Sequence, residues 1–134
     1  MSARTVVRLV LCALGLLTAP LAAKAQQAGG TVTIGYLGNS SPSLESNLVE
    51  AFREGLRHLG YVEGQNLVIR YQWAEGQQER HAVLARELVR LKPDIIFTAG
   101  TPGTLAAKQA TQSIPIVTAI AGDPVESGLV SSLA

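Results

Sequence analysis

From about residue 30 onward the chain alternates between two hydrophobic periods. Positions 31–37 alternate and then run apolar between Gly29-Gly30 and a Gly38-Asn39-Ser40-Ser41-Pro42 turn, which predicts a first strand. Leu48, Phe52, Leu56 and Leu59 then recur at three- and four-residue steps. With Glu45 in the first turn and Arg57 and His58 in the last, they predict a helix ended by Gly60. A Glu63-Gly64 turn leads into a second strand over Leu67–Trp73, rich in β-branched and aromatic residues. Leu84, Leu88 and Leu91 mark the buried face of a helix over 77–91 that Pro93 must end. The nearly continuous apolar run over 94–99 fits a central parallel strand covered on both faces. An Ala-rich helix over 102–112, a fourth strand over 114–120 with Pro115 at its beginning, and a helix from Pro124 complete the pattern. Strands that alternate with helices in this way predict right-handed βαβ units. The expected fold class is α/β, with a parallel sheet in the order 2-1-3-4 flanked by helices.

The first residues follow a different grammar. Arg4 and Arg8 precede an apolar run over 9–22, and Ala23-Lys24-Ala25 supplies a small-x-small cleavage pattern, so 1–25 reads as a signal peptide and 26–134 as the mature chain. The run is shorter than the roughly twenty residues that span a bilayer. That length favours a cleaved signal, and so a periplasmic location without membrane insertion afterwards. Cys12, the only cysteine, follows bulky Leu11 rather than the small residue of a lipid-attachment signal. The mature chain is thus expected to hold no disulfide, thiol nucleophile or thiolate metal site.

Setting aside Arg4, Arg8 and Lys24 takes eleven Lys and Arg to eight against ten Asp and Glu, so the net charge moves from +1 to −2. The remaining cations, such as Arg53, Arg57, Arg80, Arg86 and Arg90, are interleaved with Glu50, Glu54, Glu79 and Glu87. That is the pattern of solvated helix faces, and it gives no basis for expecting nucleic acid as a partner.

Three strands end in one chemical phrase: a turn, a residue able to cap a helix, then proline. The instances are Ser41-Pro42, Thr101-Pro102 and Asp123-Pro124, the last also spaced as a capping box with Glu126. Each follows the carboxyl end of a strand, so all three helix starts should share one edge of the sheet. In open α/β sheets ligands bind at that edge, and free amides there favour an anion such as a carboxylate. Capped helices are also ordinary furniture of any α/β protein. Asp123 is placed either to meet a ligand ammonium group or to cap its own helix. Tyr36, Tyr71 and Trp73 either fill strand faces or line a pocket.

The patterns of catalysis are missing. There is no Gly-x-Ser-x-Gly elbow, no phosphate-binding loop, and no third glycine after Gly35-Tyr36-Leu37-Gly38 for a dinucleotide fingerprint. His58 and His81 lie on separate helices, where surface or satisfied side chains are expected rather than metal ligands.

Several stretches closely resemble the ABC-transporter substrate-binding proteins of the tryptophan/tyrosine-receptor type. They are Ile34-Gly35-Tyr36-Leu37, Phe52-Arg53-Glu54-Gly55-Leu56, Leu59-Gly60-Tyr61-Val62-Glu63-Gly64-Gln65-Asn66, Lys92-Pro93-Asp94-Ile95-Ile96, Ile114-Pro115-Ile116-Val117 and Gly122-Asp123-Pro124-Val125-Glu126. The resemblance implies a type I periplasmic-binding fold, two α/β lobes hinged around a small ligand, of which 26–134 is the first part of the amino-terminal lobe. It implies no catalytic activity, cofactor or metal, an aromatic amino acid as ligand, and an ABC permease in the inner membrane as partner. It also carries a ligand-binding role onto Asn39, Ser40, Thr101, Thr104 and Asp123. An exported α/β enzyme fragment or the ligand-sensing domain of a receptor are the competing readings.

Overall fold

The computed structural model describes residues 30–119. Strand and helix alternate through β1 (Val32–Gly38), α1 (Ser46–His58), β2 (Leu67–Trp73), α2 (Arg80–Arg90), β3 (Ile95–Ala99), α3 (Thr101–Ala110) and β4 (Ile116–Ala119). All pairings are parallel and the strand order is β2-β1-β3-β4, the order expected from the alternation. The signal assigned to 1–25 and the helix expected from Pro124 lie outside the described residues. Among the described residues no helix is long and apolar enough to cross a membrane.

The two-residue period of β1 divides the core. Ile34 and Tyr36 face one side, where they join Leu67, Ile69 and Phe97 beneath Val49, Phe52 and Leu56 of α1. Tyr36 is the hub of this layer: its ring lies 5.1 Å from Phe97, 5.7 Å from Phe52 and 5.4 Å from both Tyr71 and Trp73. Leu37 faces the other side with Ala74, Leu84, Ala85, Leu88 and Ala106, contributed largely by α2 and α3. Gly35 makes that packing close, since a Cβ there would sit 3.3 Å from Leu88 Cδ2. Tyr36, Leu37, Leu88 and Ile96 are fully buried. At about 1.5–3 kcal/mol for each large apolar side chain removed from water, these four anchor both layers.

Helix ends explain where the core departs from expectation. Leu59 and Leu91 are 63% and 54% exposed rather than buried, because each follows the last helical residue and so leaves the inward face. Val49, with Phe52 and Leu56, takes the place expected of Leu48 and Leu59. Gly60 takes φ 90° and donates its amide to Arg57 O, as a left-handed helix terminator should. Lys92 plays the same part after α2 with φ 52°, so α2 spans Arg80–Arg90 within the expected 77–91. At the opposite edge of the sheet Asp94 Oδ2 accepts from Thr33 N at 2.8 Å and Asp94 N donates to Thr33 O at 2.8 Å, locking the start of β3 onto β1.

Candidate functional site

The connections leaving β1 and β3 go to opposite faces of the sheet, α1 to one and α3 to the other. Where neighbouring strands send their chains apart in this way, a crevice opens beyond their carboxyl ends. A cavity of about 290 Å³ lies there, lined by Asn39, Ser40, Glu45, Leu48, Ala99 and Gly100. Asn39 and Ser40 follow β1 and Gly100 follows β3, so two of the expected ligand residues share this cavity with the turn that starts α3.

Glu45 organises the β1 side. Its side chain is buried, folding back from the start of α1. Oε1 accepts from Ser40 N at 2.6 Å and Ser40 Oγ at 3.0 Å, and Oε2 accepts from the Tyr36 hydroxyl at 3.1 Å. Burial, and after it the Glu45 charge, holds the Tyr36 hydroxyl well above the ordinary phenol range. Ser41 Oγ accepts from Leu44 N and Ser41 O from Glu45 N, so a first turn forms over 42–45 ahead of the regular helix. The carboxylate therefore occupies the loop above the amino end of α1, where an outside anion was expected. It is the one ionisable side chain among the residues described as lining the cavity.

On the β3 side the turn is made by glycine. Gly100 has φ 93° and stands at the N-cap of α3, with Thr101 and Pro102 as its first residues, so Thr101 lies inside the helix rather than at its cap. The left-handed φ explains why the cap shifted by one residue from the expected Thr101-Pro102 boundary. Thr104 is buried one turn further on. Its hydroxyl donates to Gly100 O at 2.8 Å and lies 2.7 Å from the hydroxyls of both Thr98 and Thr118. One proton and two lone pairs are thereby all engaged, so Thr98 and Thr118 must donate to it. Asp123 lies outside the described residues.

A second cavity of about 330 Å³ lies between α1 and β2, bounded by Pro42, Val49, Arg53, Tyr71 and Trp73. The Tyr71 and Trp73 rings stack there at 5.9 Å and 3°, and Arg53 is tied to Glu63 at 2.7 Å. Tyr36 is thus a core residue, whereas Tyr71 and Trp73 both fill a strand face and line a pocket. Although larger, this cavity lies on the flank of the sheet and away from its switch point. His58 is exposed beside Glu54, while His81 is buried between α2 and α3 with Nδ1 3.0 Å from Gln78 O. No group of three His, Cys, Asp or Glu able to hold a metal occurs among the described residues.

Residues 39–134 match the family described as ABC transporter substrate binding protein. The chain belongs to that family. Its proteins bind solutes and are not enzymes. Among its relatives is a tyrosine-binding protein of Clostridioides difficile, 38% identical over 92 residues that make up 69% of this chain and 26% of that protein. A conserved domain protein from Vibrio cholerae superposes with a TM-score of 0.72 at 31% identity, over 77% of this chain and 35% of that one. A Streptococcus protein described as an ABC domain in complex with L-Trp superposes at 0.70 with 28% identity, over 78% and 35% of the two chains. The chain thus spans about a quarter to a third of the length of these relatives.

Much of what makes the sequence look like this family of substrate-binding proteins is scaffold. Within Gly60-Tyr61-Val62-Glu63-Gly64-Gln65-Asn66, both glycines have positive φ. Buried Asn66 clasps the turn, accepting from Val62 N at 2.7 Å and donating to Gly60 O at 2.9 Å. Sequence reasoning placed Glu45 only in a helix dipole. No spacing in the Ser40-Ser41-Pro42-Ser43 turn marks its bracing of the Ser40 amide and hydroxyl.

Proposed function

We propose that this chain provides one wall of the ligand cleft in the exported, solute-binding receptor of an ABC importer, and that the solute is a small amino acid-like zwitterion. The cavity beyond β1 and β3 carries the reading. It joins a carboxylate, Glu45, to the Gly100 turn at the amino end of α3, so complementary ends of a zwitterion meet opposite charges across a short distance. A volume of about 290 Å³ suits a small solute. Relatives named for tyrosine binding or solved with L-Trp make an aromatic L-amino acid the first ligand to try.

In this account Asn39, Ser40, Thr101 and Asp123 present polar groups to the ligand. Thr104 contributes by holding Gly100. The periplasm is the site of action, reached through the signal at 1–25, and an inner-membrane permease receives the solute. Closure of a second lobe over the first stabilises the bound state by the contacts that only the closed form makes. Calorimetry tests the reading: the full-length receptor should bind L-tyrosine or L-tryptophan with a Kd on the order of micromolar, and the 134-residue chain at least about a hundredfold more weakly. Equal affinity in the two would refute the two-walled cleft.

A further inference from the structure

We propose that Glu45 is the charge-selecting residue of the cleft, the group that makes the receptor require a ligand ammonium rather than merely tolerate one. The inference rests on the ligand reading given above and adds to it the side chain that discriminates. Three observations lead to it. Glu45 lines the cavity at the switch point and is the only ionisable residue described in that lining. It is 9% exposed, so a charge there faces little competing water. And its acceptor capacity is not exhausted: Oε1 takes two donors, from Ser40 N and Ser40 Oγ, whereas Oε2 takes one, from Tyr36. Each carboxylate oxygen offers two lone-pair positions, so Oε2 retains one for a further donor.

The bracing bonds fix where that lone pair stands. Ser40 holds one oxygen from the loop side and Tyr36, itself locked among Phe52, Tyr71, Trp73 and Phe97, holds the other from below. An acceptor held this firmly loses little freedom on binding, and a charge-assisted bond to an ammonium in a poorly hydrated site is strong. A solute lacking that ammonium leaves the carboxylate desolvated with nothing in exchange. Discrimination therefore comes from the penalty on the wrong solute as much as from attraction of the right one.

The test compares an aromatic L-amino acid with its desamino analogue, L-tyrosine against 3-(4-hydroxyphenyl)propionate and L-tryptophan against 3-indolepropionate, on the full-length receptor by calorimetry. The wild type should prefer the amino acid by about ten- to a hundredfold. Glu45→Gln keeps the shape and an acceptor for Ser40 but removes the charge. It should weaken the amino acid and strengthen the desamino analogue, each by about three- to tenfold, and so erase the preference. Tyr36→Phe removes one brace without touching the charge and should weaken both ligands by a similar factor, with the preference retained. Melting curves of both variants verify the fold. If Glu45→Gln weakens both ligands equally, or keeps the preference, the side chain only braces the loop and the inference is wrong while the ligand reading stands. Failure of the folded wild type to bind either class would overturn the ligand reading and this inference together.

Discussion

Replacing Thr104 by valine removes one hydroxyl at almost constant volume, and the surroundings of that hydroxyl set the cost. Its own bond to Gly100 O at 2.8 Å disappears, worth about 1 kcal/mol net. Two donors also lose their acceptor. Thr118 is exposed and turns to water, but Thr98 is fully buried and cannot, which adds about 1–3 kcal/mol. The expected loss is therefore about 2–4 kcal/mol, large for a change of one atom on the scale of a small domain's stability. Thr98→Val made on top of Thr104→Val removes the stranded donor, so the double variant should be more stable than the sum of the singles by about 1 kcal/mol or more. Urea unfolding followed by the fluorescence of Trp73, the only tryptophan, provides the assay. A Thr104→Val variant within about 0.5 kcal/mol of wild type, or strictly additive singles, would refute the saturated-hydroxyl account and reopen Thr104 as a direct ligand contact.

Gly38→Ala should destabilise by about 1–3 kcal/mol and shift Trp73 emission, because the new Cβ would run into the Trp73 ring and crowd Glu45 Oε2; unchanged emission and stability would contradict the packing. Asn66→Ala should cost about 2 kcal/mol by releasing the Val62 amide and Gly60 carbonyl, measured as a lower urea midpoint at unchanged slope. Alkaline stability follows from Tyr36 and Tyr71. Burial first, then the nearby carboxylates Glu45 and Glu63, raises both hydroxyls above the ordinary phenol value. Their contribution is complete below about pH 10 and falls as pH rises past it, because the unfolded chain then releases protons that the folded chain keeps. Tyr36→Phe should flatten that decline in urea midpoints measured across the alkaline range, and an unchanged slope would count against a buried, proton-holding Tyr36.

Element order and sheet topology were legible because strand and helix periods alternate cleanly and every helix is punctuated by Gly, Pro or a polar turn. The parallel order follows from that alternation and the handedness of βαβ crossovers. Helix ends were less legible. Leu59 and Leu91 continue the apolar spacing one step past the last helical residue, and periodicity does not reveal that Lys92 will accept a left-handed φ of 52°. Asn39 and Ser40 could be placed at the sheet edge where the cavity lies because position after a strand is a topological property. Glu45 could not: its bonds cross a non-helical turn to Ser40 and reach into the sheet at Tyr36, contacts that no spacing rule encodes. Thr104 points to the same limit, since a threonine one turn into a helix looks alike whether its hydroxyl faces a ligand or, as here, two other threonines.

Amide chemical shifts of the full-length receptor, followed as L-tyrosine or L-tryptophan is added, test the location of the ligand most directly. The account predicts that the largest perturbations fall on Ser40, Gly100 and Thr101, at the carboxyl ends of β1 and β3. Perturbations concentrated instead on Arg53, Tyr71 and Trp73, with Ser40 and Gly100 unmoved, would place the solute in the flank cavity between α1 and β2 and contradict the account.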